Sequence, residues 1–304
     1  MYMKKILNFL LSTIVSTSAF AQITLDTPTN VEAGVEATSN TKWEVKSNIT
    51  IDGKMSFPAK TDQYAILVSN STLEIGSTGV LEMNSDPYAT VVTHQNLIRL
   101  GNWGVKSGTL TIQEGGKVIL DKITMSGNND VVNVYAPDAL TPCVWDYSQL
   151  YFFMNGNFNM LGAGDYKLSF QAQADKVATV SFVENANLNI MSLGNTNNFS
   201  MKLVDFTDKN SIFFSSKVSG VKADCILELS ELDSGDYTVS FYDGETLKNT
   251  ITITGADLNG FSFSQSTVDG VNGYLLAVAI PEPAEWAMIF GALALGFAIY
   301  RRRK

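Results

Sequence analysis

The chain has 304 residues, 45% of them hydrophobic and 17% charged, with 21 basic side chains against 30 acidic ones, one His and two Cys. That is enough apolar material for a sizeable core, and the acid excess argues against nucleic-acid binding and against simple adsorption to anionic lipid. Two Cys and one His fall short of the ligand set of a structural zinc site, so neither a metal nor another cofactor is expected.

Residues 1–21 read as a signal peptide. Lys4 and Lys5 form a short positive region, Ile6 to Val15 an apolar one, and Ala19 and Ala21 supply the small side chains that signal peptidase requires. Cleavage before Gln22 is expected, with an uncleaved anchor as the alternative; the apolar core is short for a span. Residues 22–41 are poorer in bulky apolar side chains and read as an exposed lead-in or an N-terminal cap. Setting aside the six basic and two acidic residues of the two chain ends leaves 15 against 28, a body net charge near −13. Arg99 is the one arginine of that body, so a bidentate clamp for phosphate or carboxylate has little material.

From Lys42 to Ala279 the chain reads as β: Val, Ile, Thr, Phe and Tyr alternate with Ser, Asn, Lys and Asp, punctuated by turn residues. A six-position unit with a spacing of two recurs. Leu110, Ile112, Glu114, Gly116, Val118 and Leu120 define it. Leu73 to Met83 and Val180 to Ile190 repeat it, Phe158 to Leu168 follows it loosely, and Ile49 to Phe57 is a shortened copy. The starts at 73, 110, 158 and 180 are 37, 48 and 22 residues apart, the last close to one coil of a solenoid. The predicted fold is therefore all-β, a right-handed parallel β-helix over 42–208. An antiparallel β-sandwich is the alternative, with Thr109 to Leu120 as a hairpin turning at Glu114–Lys117. The solenoid is favoured because stacked coils must present matching inward faces, whereas unrelated hairpins need not. Residues 209–279 lose the repeat and read as a C-terminal β cap or a small sandwich.

Candidate chemistry in the body is thin. His94 has neither a nucleophile-elbow sequence nor an adjacent orienting acid, and reads as a surface or packed side chain. Asp121 with Lys122, Asp130 after Gly127-Asn128-Asn129, and Asp205 with Asp208 are the carboxylates weighed for glycoside hydrolysis or elimination; turn chemistry accounts for them. Asp233-Ser234-Gly235-Asp236 offers oxygen ligands without the spacing of a calcium loop. Tyr147, Tyr151, Phe152 and Phe153, near Trp145, are either a sugar-stacking face or core; alternation with Phe158 and Met160 favours core. Cys143 and Cys225 are open to a disulfide or to two free thiols. No catalytic residue is assigned, and the expectation is a protein that is not an enzyme.

The tail is the most informative stretch. Pro281-Glu282-Pro283 favours an extended segment. Trp286 to Tyr300 is an uncharged run of roughly 22 Å as a helix, a little short of the hydrocarbon core, with aromatic rings at its ends. Arg301, Arg302, Arg303 and Lys304 close it as a cytoplasmic stop-transfer cluster by the positive-inside rule. Over about 25 residues this order resembles the PEP-CTERM sorting signal, with Ala284 and Glu285 where that family often carries a small hydroxyl residue. The resemblance implies recognition of Pro281, Glu282, Pro283 and Trp286 by exosortase, a membrane-embedded cysteine protease. It also implies an association with exopolysaccharide and biofilm matrix. Segments such as Gly108–Ile112 with Glu114-Gly115-Gly116 resemble the passenger β-helices of autotransporters, a fold that also hosts pectate lyases.

Together these readings predict an exported precursor. Residues 280–304 hold it in the inner membrane by one transmembrane helix, with the body in the periplasm, and exosortase passes it to the surface or matrix as a structural or adhesive protein. A carbohydrate-active enzyme on the same scaffold is the rival, and an unprocessed single-span membrane protein the third reading.

Overall fold

The computed structural model describes residues 22–39, 42–57, 65–83, 97–143, 145–194 and 198–279, together with Leu293. Ala19, Ala21, His94, Pro281, Glu282, Pro283, Trp286, Arg301, Arg302, Arg303 and Lys304 lie outside them. Among the described residues no helix is long and apolar enough to cross a membrane.

Period-two alternation makes each short segment a strand with one face inward and one outward, and here the strands stack turn upon turn. The first turn is β1 (Gln22–Leu25), β2 (Thr29–Val31) and β3 (Glu36–Thr38); the second is β4 (Lys42–Val45), β5 (Ile49–Ile51) and β6 (Lys54–Phe57). Next come β7 (Ile66–Val68), β8 (Thr72–Ile75) and β9 (Val80–Met83), then β10 (Leu97–Leu100), β11 (Thr109–Ile112) and β12 (Lys117–Ile119). The fifth turn is β13 (Lys122–Met125), β14 (Asp130–Val134) and, after a 3-10 turn at Pro137–Ala139, β15 (Leu140–Thr141). Later turns have two strands each: β16 (Gln149–Phe152) with β17 (Gly156–Met160), β18 (Gly164–Ala172) with β19 (Val177–Ser181), and β20 (Ala186–Leu193) with β21 (Phe199–Val204). The chain ends in β22 (Ser211–Ser215), β23 (Ile226–Glu231), β24 (Tyr237–Asp243), β25 (Thr246–Thr254), β26 (Phe261–Val268) and β27 (Val271–Val278).

The first sheet runs β1-β4-β7-β10-β13-β16-β18-β20-β22-β27-β26, the second β2-β5-β8-β11-β14-β17-β19-β21-β25-β24-β23, and a five-stranded third sheet β15-β12-β9-β6-β3. From β1 to β22, from β2 to β25 and throughout the third sheet, neighbours pair in parallel. This is a β-solenoid, and it replaces the antiparallel sandwich. Thr109 to Leu120 is no hairpin, since β11 and β12 belong to different sheets.

Register explains the repeat. Ile49, Leu73, Leu110, Val132, Phe158, Val180 and Leu203 are successive partners down the second sheet, each at most 1% exposed. The interval of 37 residues between Leu73 and Leu110 is one turn with a long corner, and the 48 from Leu110 to Phe158 is two turns with Val132 between. Such buried aliphatic side chains contribute about 1.5–3 kcal/mol each by removal from water. Corners are tight as well: a Cβ on Gly79 would come within 1.9 Å of the Ile51 carbonyl oxygen of the preceding turn.

Two features depart from a uniform stack. The third sheet stops at β15, and from there the chain passes from the second sheet straight into long first-sheet strands. Tyr166 and Leu168 of β18 are buried where earlier turns place third-sheet side chains such as Val118 and Leu120, and a register shift at Leu168/Ser169 marks the former corner. At the end of the stack, hairpins β23–β24 and β26–β27 are antiparallel and extend the second and first sheets respectively. Residues 209–279 thus continue the two solenoid sheets for one further parallel step, β22 on β20 and β25 on β21, before these hairpins follow. Gln22–Thr38, read as a lead-in or cap, forms strands paired in parallel with the second turn.

Candidate ligand-binding face

The outward side chains of the first sheet are where this protein departs from a plain polar surface. Down the second sheet the outer column is Thr111, Asn133 and Asn159, tied by Asn133 Nδ2 donating to Thr111 Oγ1 at 3.2 Å and Asn159 Nδ2 to Asn133 Oδ1 at 2.8 Å. In the first sheet the corresponding column is Arg99, Thr124, Tyr151 and Gln171.

Trp103 stands beside that column. It occupies the turn between β10 and β11, is 63% exposed, and holds φ at 44° between Gly101 at 65° and Gly104 at 78°. An aromatic residue in the left-handed region is strained by about 1–3 kcal/mol, and such strain persists only where the surroundings impose it. Here they do. Asn102 and Lys106 bridge across the turn, Gly104 N donates to the Ser126 carbonyl at 2.8 Å, and Asn128 Nδ2 donates to the Gly104 carbonyl at 2.9 Å.

The indole joins a run of rings. Trp103 meets Phe153 edge-on at 5.1 Å, and Phe153 meets Tyr151 edge-on at 5.9 Å. Cations lie over two of them: the Arg99 guanidinium carbon is 4.3 Å from the Trp103 centroid, and Lys122 Nζ is 4.5 Å from that of Tyr151. Arg99 Nε also donates to Ser126 Oγ at 2.7 Å, and Gln173 Nε2 to the Tyr151 hydroxyl at 2.6 Å. Burial lowers the Lys122 pKa and raises that of Tyr151.

Two residues earlier on β16, Gln149 borders a groove of about 850 Å³ on the same face. Trp145 and Tyr147 stand on one side of it, Ser169 and Ser192 lie in it, and Lys217 and Asp269 line it further on. The two serine hydroxyls are 2.7 Å apart, and Lys167 pairs with Asp269 at 2.7 Å. Burial, with Asp269 and Asp146 nearby, raises the Tyr147 pKa.

The carboxylates singled out from sequence do other work. Asp130 is fully buried: Gly108 N donates to its Oδ1 at 2.7 Å and Gly127 N to its Oδ2 at 2.6 Å, which ties the base of the Trp103 turn to the next turn of the solenoid. Burial outweighs these donors, the Ser126 amide and the nearby Arg99, pushing Asp130 up to about 6. Asp121, 3% exposed, accepts the Cys143 and Trp145 amides at 2.9 and 3.0 Å. Asp205 and Asp208 are exposed turn residues, as are Asp233 to Asp236, where Ser234 Oγ donates to Asp236 Oδ2. Among the described residues no group of three or more His, Cys, Asp and Glu is placed to hold a metal ion. Cys143 and Cys225 form no disulfide with each other, and the Cys143 thiol donates to the Met83 carbonyl.

One reading of the aromatic cluster is corrected. Phe152, Phe158 and Met160 are core, but Tyr151 and Phe153 face outward: Leu150, Phe152, Gly156, Phe158 and Met160 are the buried positions, all of one parity, and Tyr151 and Phe153 have the other. Trp103 was not singled out at all; the signal for it is Gly101-Asn102-Trp103-Gly104, an aromatic between glycines in a turn.

No protein-family model, curated protein or solved structure matches the chain.

Proposed function

We propose that the chain is a secreted structural or adhesive protein of the cell surface or extracellular matrix. In this reading a right-handed solenoid body is carried across the inner membrane by a signal peptide and held there by a C-terminal transmembrane helix. Exosortase then releases it at Pro281-Glu282-Pro283, and the mature body associates with exopolysaccharide. The observation that carries the reading is the order of the tail: Pro-Glu-Pro, Trp286, an uncharged run and four terminal cations. The body suits it. Each turn pairs with the next in parallel, which gives a long ordered surface, and the two buried acids among the described residues, Asp121 and Asp130, hold backbone N–H groups.

Intact mass of the protein taken separately from membranes and from culture medium tests the reading. The expected result is a released form lacking everything beyond the Pro-Glu-Pro. If every molecule keeps Arg301 to Lys304 and stays with the inner membrane, the tail is an ordinary anchor and the matrix role falls. New reducing ends or an unsaturated product from a polysaccharide, abolished by one carboxylate substitution, would replace the structural role with an enzymatic one.

A further inference from the structure

We infer that the outer face of the first sheet, from Trp103 to the groove beside Trp145, binds an uncharged polysaccharide as an extended chain running obliquely across the strands. The inference deepens the adhesive reading and rests on it for the polymer's biological setting, though binding itself is independent of how the tail is processed.

The argument begins with the indole. A tryptophan that is 63% exposed, in a left-handed backbone conformation and fixed by three sets of backbone and amide contacts, is displayed at a cost to the fold. Arg99 lies over the ring and Phe153 stands edge-on to it, and the exposure of the side chain leaves indole surface for a ligand. Aromatic faces take up the C–H-rich face of a pyranose ring as they take up other apolar surface. A sugar's hydroxyls then require amide and hydroxyl partners close by, and Gln149, Gln171, Ser169 and Ser192 stand on this same face.

The second aromatic group sets the shape of the ligand. Trp145 and Tyr147 flank the groove just before β16, while Trp103 lies at the opposite ends of the strands, two turns earlier, with its ring against Phe153 just past β16. From β10 to β16 the face crosses two strand spacings, about 10 Å in the stacking direction, and the four residues of β16 add roughly 13 Å across it. A single sugar cannot reach both aromatic groups, whereas a linear polymer running obliquely over the strands can.

Charge selects a neutral polymer. The body is near −13, and Asp146 and Asp269 line the groove, so a polyanion meets like charge on arrival. The cations offset these acids without making the face basic: Lys217 also lines the groove, Lys167 is paired with Asp269, Arg99 is engaged with Ser126 and the indole, and Lys122 lies over Tyr151.

The test is native affinity electrophoresis of the full-length chain in mild detergent, through gels containing a neutral β-glucan, a neutral α-glucan or alginate. Retardation by a neutral glucan is expected, weakened at least tenfold by Trp103→Ala and by Trp145→Ala. Thr111→Ala, on the outer face of the second sheet, should leave it unchanged. Matching melting temperatures for Trp103→Ala and the parent separate lost contact from lost fold. Retardation by alginate alone, by no polymer, or equally for all three variants overturns the inference. So does concentration-dependent self-association that Trp103→Ala abolishes without any polymer effect, which would assign the face to a second copy of the chain. None of these outcomes bears on the mass measurement, so failure of binding and failure of sorting remain distinct.

Discussion

Asp130 offers the sharpest quantitative test of how the turns are fastened. Its carboxylate is buried, with a pKa of about 6 in the fold against 3.8 in the unfolded chain. A shift of that size corresponds to about 3 kcal/mol. Because the folded value is the higher one, the folded state binds the proton more tightly. The resulting stabilisation is fully present below pH 3.8 and is lost as pH rises through about 6. Asp130→Asn removes the titration, while its amide NH₂ opposes one of the two backbone donors at Gly108 and Gly127 and costs about 1–3 kcal/mol at any pH. Urea denaturation followed by far-UV circular dichroism at pH 4 and pH 7.5 gives the stability of both proteins. Subtracting one from the other cancels the remaining acids. The advantage of the parent over the variant should shrink by about 2 kcal/mol between the two conditions, since pH 4 lies a little above the unfolded value. An advantage that is flat, or that grows with pH, refutes the reasoning. Growth would mean that the backbone N–H groups and Arg99 outweigh burial.

Leu110→Ala should destabilise by about 2–5 kcal/mol, since the side chain is fully buried between Leu73 and Val132, whereas Thr111→Ala, facing solvent, should cost under ~1 kcal/mol; denaturation midpoints decide. Gly79→Ala places a methyl against the Ile51 carbonyl and should cost about 1–3 kcal/mol, read as a drop in melting temperature. Asp269→Asn breaks the Lys167 pair, but both side chains are well exposed, so the loss should stay below ~1 kcal/mol and shrink in high salt.

What the sequence shows of this fold is its inward face. Leu110, Ile112, Val118 and Leu120 are all buried, and the spacing of two that marks them is a direct consequence of the pleat. The turn at Asp130–Val134 escapes the pattern because Val132 and Val134 lead into Pro137–Ala139 instead of a glycine corner. Loss of the third sheet escapes it too. Tyr166 and Leu168 keep the same spacing whether the corner that follows them is sharp or opened into a bulge within β18, so the six positions look alike in turns of different cross-section. The proposed binding face was half legible: Tyr151 and Phe153 were noticed but assigned to the core with Phe158 and Met160, although odd and even positions of a strand point to opposite faces. Trp103 was invisible to periodicity because it lies in a turn, where exposure is set by backbone conformation and not by alternation.

The reversed strands at the end of the stack bear on how long such an object can grow. A column whose strands all run one way has ends that fit each other, so one copy can continue the ladder of the next and a fibre can form without limit. Here β23 and β26 are the last strands of their sheets, each running against its neighbour. Two reversals return β23 and β26 to the direction of the ladder, so strand polarity by itself would not bar a second chain's β1 and β2. What changes is the inward column: β23 has one buried side chain and β26 none, and Glu228 and Glu231 stand exposed on the β23 edge, charges of the kind that discourage edge-to-edge pairing.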